Sequence, residues 1–303
     1  MSPPSAVSRR EFLAASAAAA LWPGAAPGTR RAAPPLAVFS KVYQELKLDF
    51  DGAAEITAEA GFEGIDCPVR PRGEIAPERA VDDMPRYADA LRKRKVDMLL
   101  LATEITSVAS PHAENILRTA KKLGIRHYRL GTRLIRGGRT SAAMIPEARA
   151  EIKELAALNR EIGICAIFQN HSPGGQYLGG DLAVMSEIVK DFDPDQVGVA
   201  FDLGHAIVVH GDDWTGHFER LKTHVKVAYV KDVRRPKQFV AFGEGEFGKT
   251  DWFRRLKQMN YAAPFSVHVE YDWAGKGNPK TREALLGTLK QCAAALRRWY
   301  SEA

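Results

Sequence analysis

The chain is poor in the patterns that announce many specialised chemistries. Its three cysteines, Cys67, Cys165 and Cys292, fall in no CxxC or Cys/His spacing, which argues against a structural zinc site and gives no disulfide framework. Long apolar runs are missing: the Ala-rich stretch Ala14 to Leu21 is stopped by Pro23, too early to span a bilayer. No GxGxxG follows the first β-rich run, so a dinucleotide-binding sheet is not signalled. Charge of one sign is also scarce. The formal net charge is +6, and about half of it lies in the first 34 residues, where Arg9, Arg10, Arg30 and Arg31 face only Glu11. The remainder is scattered, which disfavours nucleic acid as a partner.

What is present is a chain able to bury a large core, with 45% hydrophobic residues over 303 positions. Residues 1–34 read as a leader and linker. Ser8-Arg9-Arg10-Glu11-Phe12-Leu13 before the Ala-rich run resembles a twin-arginine export signal. That implies the twin-arginine export machinery as a partner and a periplasmic or otherwise exported location. No stable membrane span is expected.

Residues 35–303 alternate β-rich runs with amphipathic segments, as a single domain. Eight strands are expected: Leu36 to Ser40, Gly64 to Cys67, Asp97 to Ala102, His127 to Leu130, Ile164 to Gln169, Gly198 to Asp202, Val225 to Val230 and Phe265 to Glu270. A helix is expected after each, with Ser110 as cap and Pro111 as first residue of the third, which Gly124 stops. Eight such units predict an α/β fold, the closed (β/α)8 TIM barrel.

In such a barrel the reacting groups stand at the C-terminal ends of strands, and strand parity selects them. Ser266, His268 and Glu270 share a face, as do Val227, Tyr229 and Lys231, and Gly198, Ala200 and Asp202. A carboxylate at the end of an apolar strand is costly unless a cation or hydrogen bonds satisfy it, so Asp202 and Glu270 call for a metal or a lysine. Lys231 is one such partner, and His205 and His268 add neutral nitrogens. Asp66 is expected at the rim of the pocket or paired with Arg70. Glu104 is either a substrate-binding carboxylate or a loop cap. Trp273 is placed for stacking on a sugar ring or for core packing. The glycine-rich loop Ser172 to Gly180 suits a mobile lid or a close approach to ligand.

Several stretches resemble, in order, those of the xylose isomerase-like barrels, which include sugar phosphate isomerases and epimerases. They are GFEGIDCPVRP (Gly61 to Pro71), Gln169-Asn170-His171, FDLGHAIVVHGDD (Phe201 to Asp213), VKDV (Val230 to Val233), FGEGEFGKTDWFRRLKQMNY and VHVEY ending in Glu270-Tyr271. The resemblance implies a divalent cation such as manganese, cobalt, magnesium or zinc, held by strand-end carboxylates and histidine. The ion chelates two sugar oxygens while acid/base groups move a proton beside a carbonyl. Carried over, Asp202, Glu270, His205 and the Gln169 oxygen form the metal set. Read from the residues themselves, Glu270, Lys231, His205 and Tyr229 are the expected catalytic set, and His171, Asn170, Glu104, His268 and Trp273 the candidate substrate contacts.

Two departures stand out: Gln169 replaces the family's glutamate, and Tyr229 replaces a histidine two residues before the Lys-Asp pair. Both weaken a divalent site, and they open a second route in which Lys231 or a carboxylate is the base and Tyr229 donates to an oxyanion. The expected activity is isomerisation or epimerisation of a non-phosphorylated sugar, since phosphorylated sugars are mainly cytosolic. The Gln-Asn-His-Ser signature, which also resembles barrels acting on 3-keto sugars, leaves two alternatives: a lyase or hydratase on keto-sugars, and a carbohydrate-binding barrel without turnover.

Overall fold

A computed structural model describes residues 33–303. The twin-arginine stretch lies outside the described residues. Eight strands close into a parallel barrel in the order β1-β10-β7-β6-β5-β4-β3-β2. They are β1 (Leu36–Phe39), β2 (Gly64–Val69), β3 (Asp97–Thr103), β4 (His127–Arg129), β5 (Cys165–Gln169), β6 (Val197–Asp202), β7 (Val225–Val230) and β10 (Phe265–Val267). Two more, β8 (Val233–Arg234) and β9 (Gln238–Phe239), pair as a short antiparallel hairpin after β7. Helices α1 (Phe50–Glu59), α2 (Ala80–Lys93), α3 (Ala113–Lys122), α4 (Ser141–Ile162) and α5 (Leu182–Val189) follow the first five strands in turn. Then come α6 (Leu203–His210), α7 (Trp214–Leu221), α8 (Trp252–Gln258) and α9 (Arg282–Glu302). Among the described residues no helix is long and apolar enough to cross a membrane.

The apolar core falls into two parts, as a barrel requires. The larger lies between strands and helices. The smaller fills the barrel interior with Ala37, Leu100, Ile167, Ala200, Val227 and Tyr229. Small side chains at 37 and 200 leave room for the long polar groups above them. All three cysteines are buried and free.

Several local expectations change. Ser110 does not cap α3; its Oγ accepts from the amides of Thr106 and Ser107, and His112 in a left-handed conformation stands at the helix start. Gly124, at φ +88°, does end that helix. Strand β10 stops at Val267, three residues before Glu270. The amide of His268 still donates to the Val230 carbonyl, but β7 then turns away into the hairpin, so residues 269 and 270 have no neighbouring strand. Asp66 is neither at the rim nor paired with Arg70: it is wholly buried inside the barrel, accepting from Ser266 Oγ at 2.8 Å. The glycine-rich loop is tied to the loop after β4 by Leu178 N to Arg133 O and Ile135 N to Gln176 O.

The segment Gly243 to Thr250 spells G-x-x-x-x-G-K-T, yet it is not a phosphate loop. The amides of Gly243, Gly245 and Phe247 converge on the Asp232 carboxylate at 2.8 to 3.0 Å, and Val233 N joins them at 2.9 Å. This anion nest is filled by the protein's own side chain.

Candidate active site

The C-terminal ends of β5, β6 and β7 and the segment after β10 bring Gln169, Asp202, Lys231 and Glu270 together. Asp202 is the last residue of β6 and the N-cap of α6; its Oδ1 accepts from His205 N at 3.1 Å. Asn170 fixes that junction: its Nδ2 donates to Asp202 O at 2.8 Å, and its Oδ1 accepts from Asp202 N at 2.7 Å. Asn170 is therefore a clamp between β5 and β6, with both amide groups occupied rather than offered to substrate.

Lys231 is the hub. Its side chain is 1% exposed, and its Nζ lies 3.0 Å from Asp202 Oδ2, 2.8 Å from Glu270 Oε2 and 2.9 Å from His205 Nε2. The three ammonium hydrogens have three acceptors. Gly204 makes the approach possible, because a Cβ there would stand 2.5 Å from Lys231 Cγ. The ring of Phe239, delivered by β9, covers the ammonium at 5.2 Å.

The charges follow from this geometry. Burial opposes the charged form of Lys231, but Asp202 and Glu270 outweigh it and raise its pKa, so it is an ammonium and not a base near neutral pH. Burial works against the Glu270 carboxylate as well, and Lys231 with His268 nonetheless holds it well below the usual range. Asp202 is likewise lowered despite its burial, the Lys231 ammonium being the charge that stands 3.0 Å from it. Burial, aided by Lys231, pushes His205 down to about 3, so the ring is neutral. Since its Nε2 accepts from Lys231, the proton sits on Nδ1 and donates to Ser172 Oγ at 2.7 Å. Ser172 was not singled out by sequence; only the resemblance to a Gln-Asn-His-Ser run marked it.

Deeper in the barrel lies a second polar layer. Asp66 Oδ1, Arg129 Nε, Tyr229 Oη and both ring nitrogens of His268 are buried with no hydrogen-bond partner among the described residues, His268 Nδ1 standing 3.6 Å from Glu270 Oε1. His268 is sandwiched between Phe39 and Tyr229, each ring centroid 4.5 Å away, and burial lowers its pKa. Burial, reinforced by Asp66, raises the Tyr229 hydroxyl far above its normal range, keeping it protonated. Unpartnered buried polar atoms are costly, so this layer is suited to water or ligand hydroxyls.

The remaining expected residues separate. His171 stacks on His205 at 4.1 Å and, with Glu270, lines a cavity of about 690 Å³ that Phe39, Val42, Phe239 and Tyr271 help enclose. Glu104 is exposed after β3. Trp273 does not face the cavity; it is 7% exposed in the core, with Nε1 donating to Glu45 at 3.2 Å.

A divalent cation does not fit the groups as they stand. Gln169 Oε1 accepts from Arg129 Nη1 at 3.0 Å, and its Nε2 donates to Asp202 Oδ2 at 2.9 Å, so the amide turns donors, not its oxygen, toward the carboxylate. Asp202, Glu270 and His205 are already joined by Lys231. A second cation there would lie within roughly 4 Å of the ammonium, where even two unit charges repel by about 4 kcal/mol at an effective dielectric near 20. Among the described residues no group of three or more His, Cys, Asp or Glu side chains is arranged to hold an ion.

A closed parallel barrel with its charged cluster at the strand C-termini has the arrangement in which TIM-barrel active sites are built. Residues 54–292 match the xylose isomerase-like TIM barrel family, and the chain belongs to that family. Among solved structures it is similar to D-psicose 3-epimerase with D-tagatose from Clostridium cellulolyticum H10, at 14% identity and TM-score 0.64, covering 86% of this chain and 96% of that one. It is also similar to 3-keto-D-glucoside 4-epimerase from E. coli, at 13% identity and TM-score 0.60, covering 82% and 94%. A xylose isomerase-like barrel from Mycobacterium smegmatis in complex with magnesium aligns at 16% identity and TM-score 0.64, covering 88% and 97%. At these identities the likeness is one of fold. No curated protein matches the chain.

Proposed function

We propose that the chain is a sugar isomerase or epimerase that moves a proton next to the carbonyl of a non-phosphorylated sugar or sugar derivative, with Glu270 as the base. One observation carries this reading. Of the two carboxylates joined to Lys231, Asp202 is fully enclosed, whereas Glu270 has a side chain 29% exposed and lines the 690 Å³ cavity. Asp202 therefore holds Lys231 in place, and Glu270 reaches the substrate. The polar groups that line the same cavity, Lys41, Glu45, His171, Asp272 and Lys280, offer positions for sugar hydroxyls. The family and the epimerases among the similar structures support the class of chemistry. Divalent-metal assistance is not part of this reading, because Lys231 occupies the groups that would bind the ion.

A single reachable carboxylate in the cluster also favours a second reading, elimination from a 3-keto sugar or keto-glycoside, which needs one base and a leaving group. The paired arginines ahead of the domain support an exported enzyme, tested by whether a reporter fused to residues 1–34 crosses the inner membrane and stops doing so in Arg9→Lys/Arg10→Lys. The chemical test follows D-fructose, D-tagatose and a 3-keto-D-glucoside in D2O by proton NMR. Deuterium entering at the carbon beside the carbonyl is expected with the wild-type chain, with at least about a 100-fold loss in Glu270→Gln. Loss of the leaving group instead identifies the elimination. No change in any of the sugars contradicts the enzyme reading and leaves the binding barrel.

A further inference from the structure

We propose that the Lys231 ammonium is the resident cation of this site, standing between Asp202 and Glu270 where a divalent ion would otherwise sit, and that shortening its side chain creates a divalent-metal site. What the cation does in the reaction rests on the proton-transfer reading above; where it sits does not.

Four independent features are built around this ammonium. Its three hydrogens are matched to Asp202 Oδ2, Glu270 Oε2 and His205 Nε2, all within 3.0 Å. Residue 204 has no side chain, which leaves a passage for the lysine stem. The Phe239 ring lies over the Nζ, its centroid 5.2 Å away. Gln169, a neutral amide, donates to Asp202 from the position where another carboxylate would repel it. With the two carboxylates and the lysine charged and the histidines neutral, the cluster carries a single net negative charge, and removing Lys231 leaves two negative charges and a neutral imidazole around a vacated space. That combination of hard oxygen and imidazole donors suits manganese, cobalt or zinc.

In the reaction, Glu270 turns from Lys231 toward the substrate and frees one ammonium hydrogen for the carbonyl oxygen. The C–H bond beside the carbonyl breaks, its proton goes to Glu270 and its electron pair forms the C=C of the enediolate. The negative charge that develops on oxygen is held by the ammonium. Return of the proton to the former carbonyl carbon, as the neighbouring hydroxyl proton passes to the enolate oxygen, gives the isomer, and its return to the opposite face of the original carbon gives the epimer; either regenerates the carboxylate with no redox change.

The test uses the full chain, stripped by chelator and titrated calorimetrically with MnCl2, CoCl2 and ZnCl2, with thermal melts in parallel. Wild type is expected to show neither saturable binding nor a shift in Tm. Lys231→Ala is expected to gain saturable binding about 100-fold tighter than wild type, with a metal-dependent rise in Tm. Lys231→Met, which fills the space without charge, is expected to gain neither. Saturable binding by wild type overturns the proposal, as does a folded Lys231→Ala chain that gains no affinity. If that variant does not fold, the wild-type titration decides alone. Neither readout needs turnover, so this proposal and the proton-transfer reading fail separately.

Discussion

Lys231 and Gly204 have to be considered as a pair. A buried lysine is stable only where acceptors surround it and nothing blocks its stem, and here Asp202, Glu270 and His205 supply the first condition and Gly204 the second. Gly204→Ala pushes a methyl into Lys231 Cγ and is expected to destabilise the fold by about 1–3 kcal/mol, measured as a lower urea midpoint with an unchanged m-value. It should also lower the proton-transfer rate, because the ammonium cannot reach both carboxylates at once. At this scale much was legible in advance. Asp202, Glu270 and Lys231 were visible from strand parity, His205 from the family resemblance, and Gln169 and Tyr229 from their departure from the family pattern. The arrangement was not legible: that Gln169 faces Arg129, that Asn170 brackets Asp202, and that Trp273 belongs to the core depend on pairings between residues distant in sequence.

At the scale of elements, the barrel strands were readable because each is a short apolar run between turn signals, and β7 falls on its expected bounds. Helix α6 was not, since LGHAIVVH is apolar on nearly every side and shows no amphipathic period. The hairpin of β8 and β9 is too short to show alternation, yet it places Phe239 over the ammonium. Asp232 is the neighbouring device: Lys231 turns into the barrel while Asp232 turns out and gathers the loop after the hairpin. Asp232→Ala leaves four backbone N–H groups without their acceptor and is expected to cost about 3 kcal/mol. Hydrogen exchange should locate the damage, with the amides of Gly243, Gly245 and Phe247 losing protection while those of β5 and β6 keep it.

Across the whole molecule, several histidines are held in neutral form, His205 and His268 buried and His127 and His171 half-buried. His205 is pushed down to about 3 and His127 to about 4, in both cases first by burial, and His171 and His268 are lowered too. In the unfolded chain each titrates near 6.5. A depressed folded pKa means that the unfolded state binds the proton first, so this stability is complete above about pH 6.5 and declines as pH falls toward the folded values. Each group contributes a slope of up to about 1.4 kcal/mol per pH unit. The lowered carboxylates Asp202 and Glu270 add to the loss at more acid pH, below about 4. Glu74, pushed up by burial to about 8, acts in the opposite sense between about pH 8 and 4.5. Urea midpoints are therefore expected to rise modestly from pH 8 to about 7 and, where the histidines outweigh that one carboxyl, to drop below about 6; a midpoint that keeps rising below pH 6 contradicts the neutral histidines.

The position of the cation is tested most directly by an anomalous difference map from a crystal grown with manganese and free of chelator. The expected map has no manganese peak between Asp202, Glu270 and His205, and electron density places Lys231 Nζ within hydrogen-bond reach of all three. A manganese peak at that point, with Lys231 swung aside and the Gln169 oxygen turned toward the ion, would contradict it.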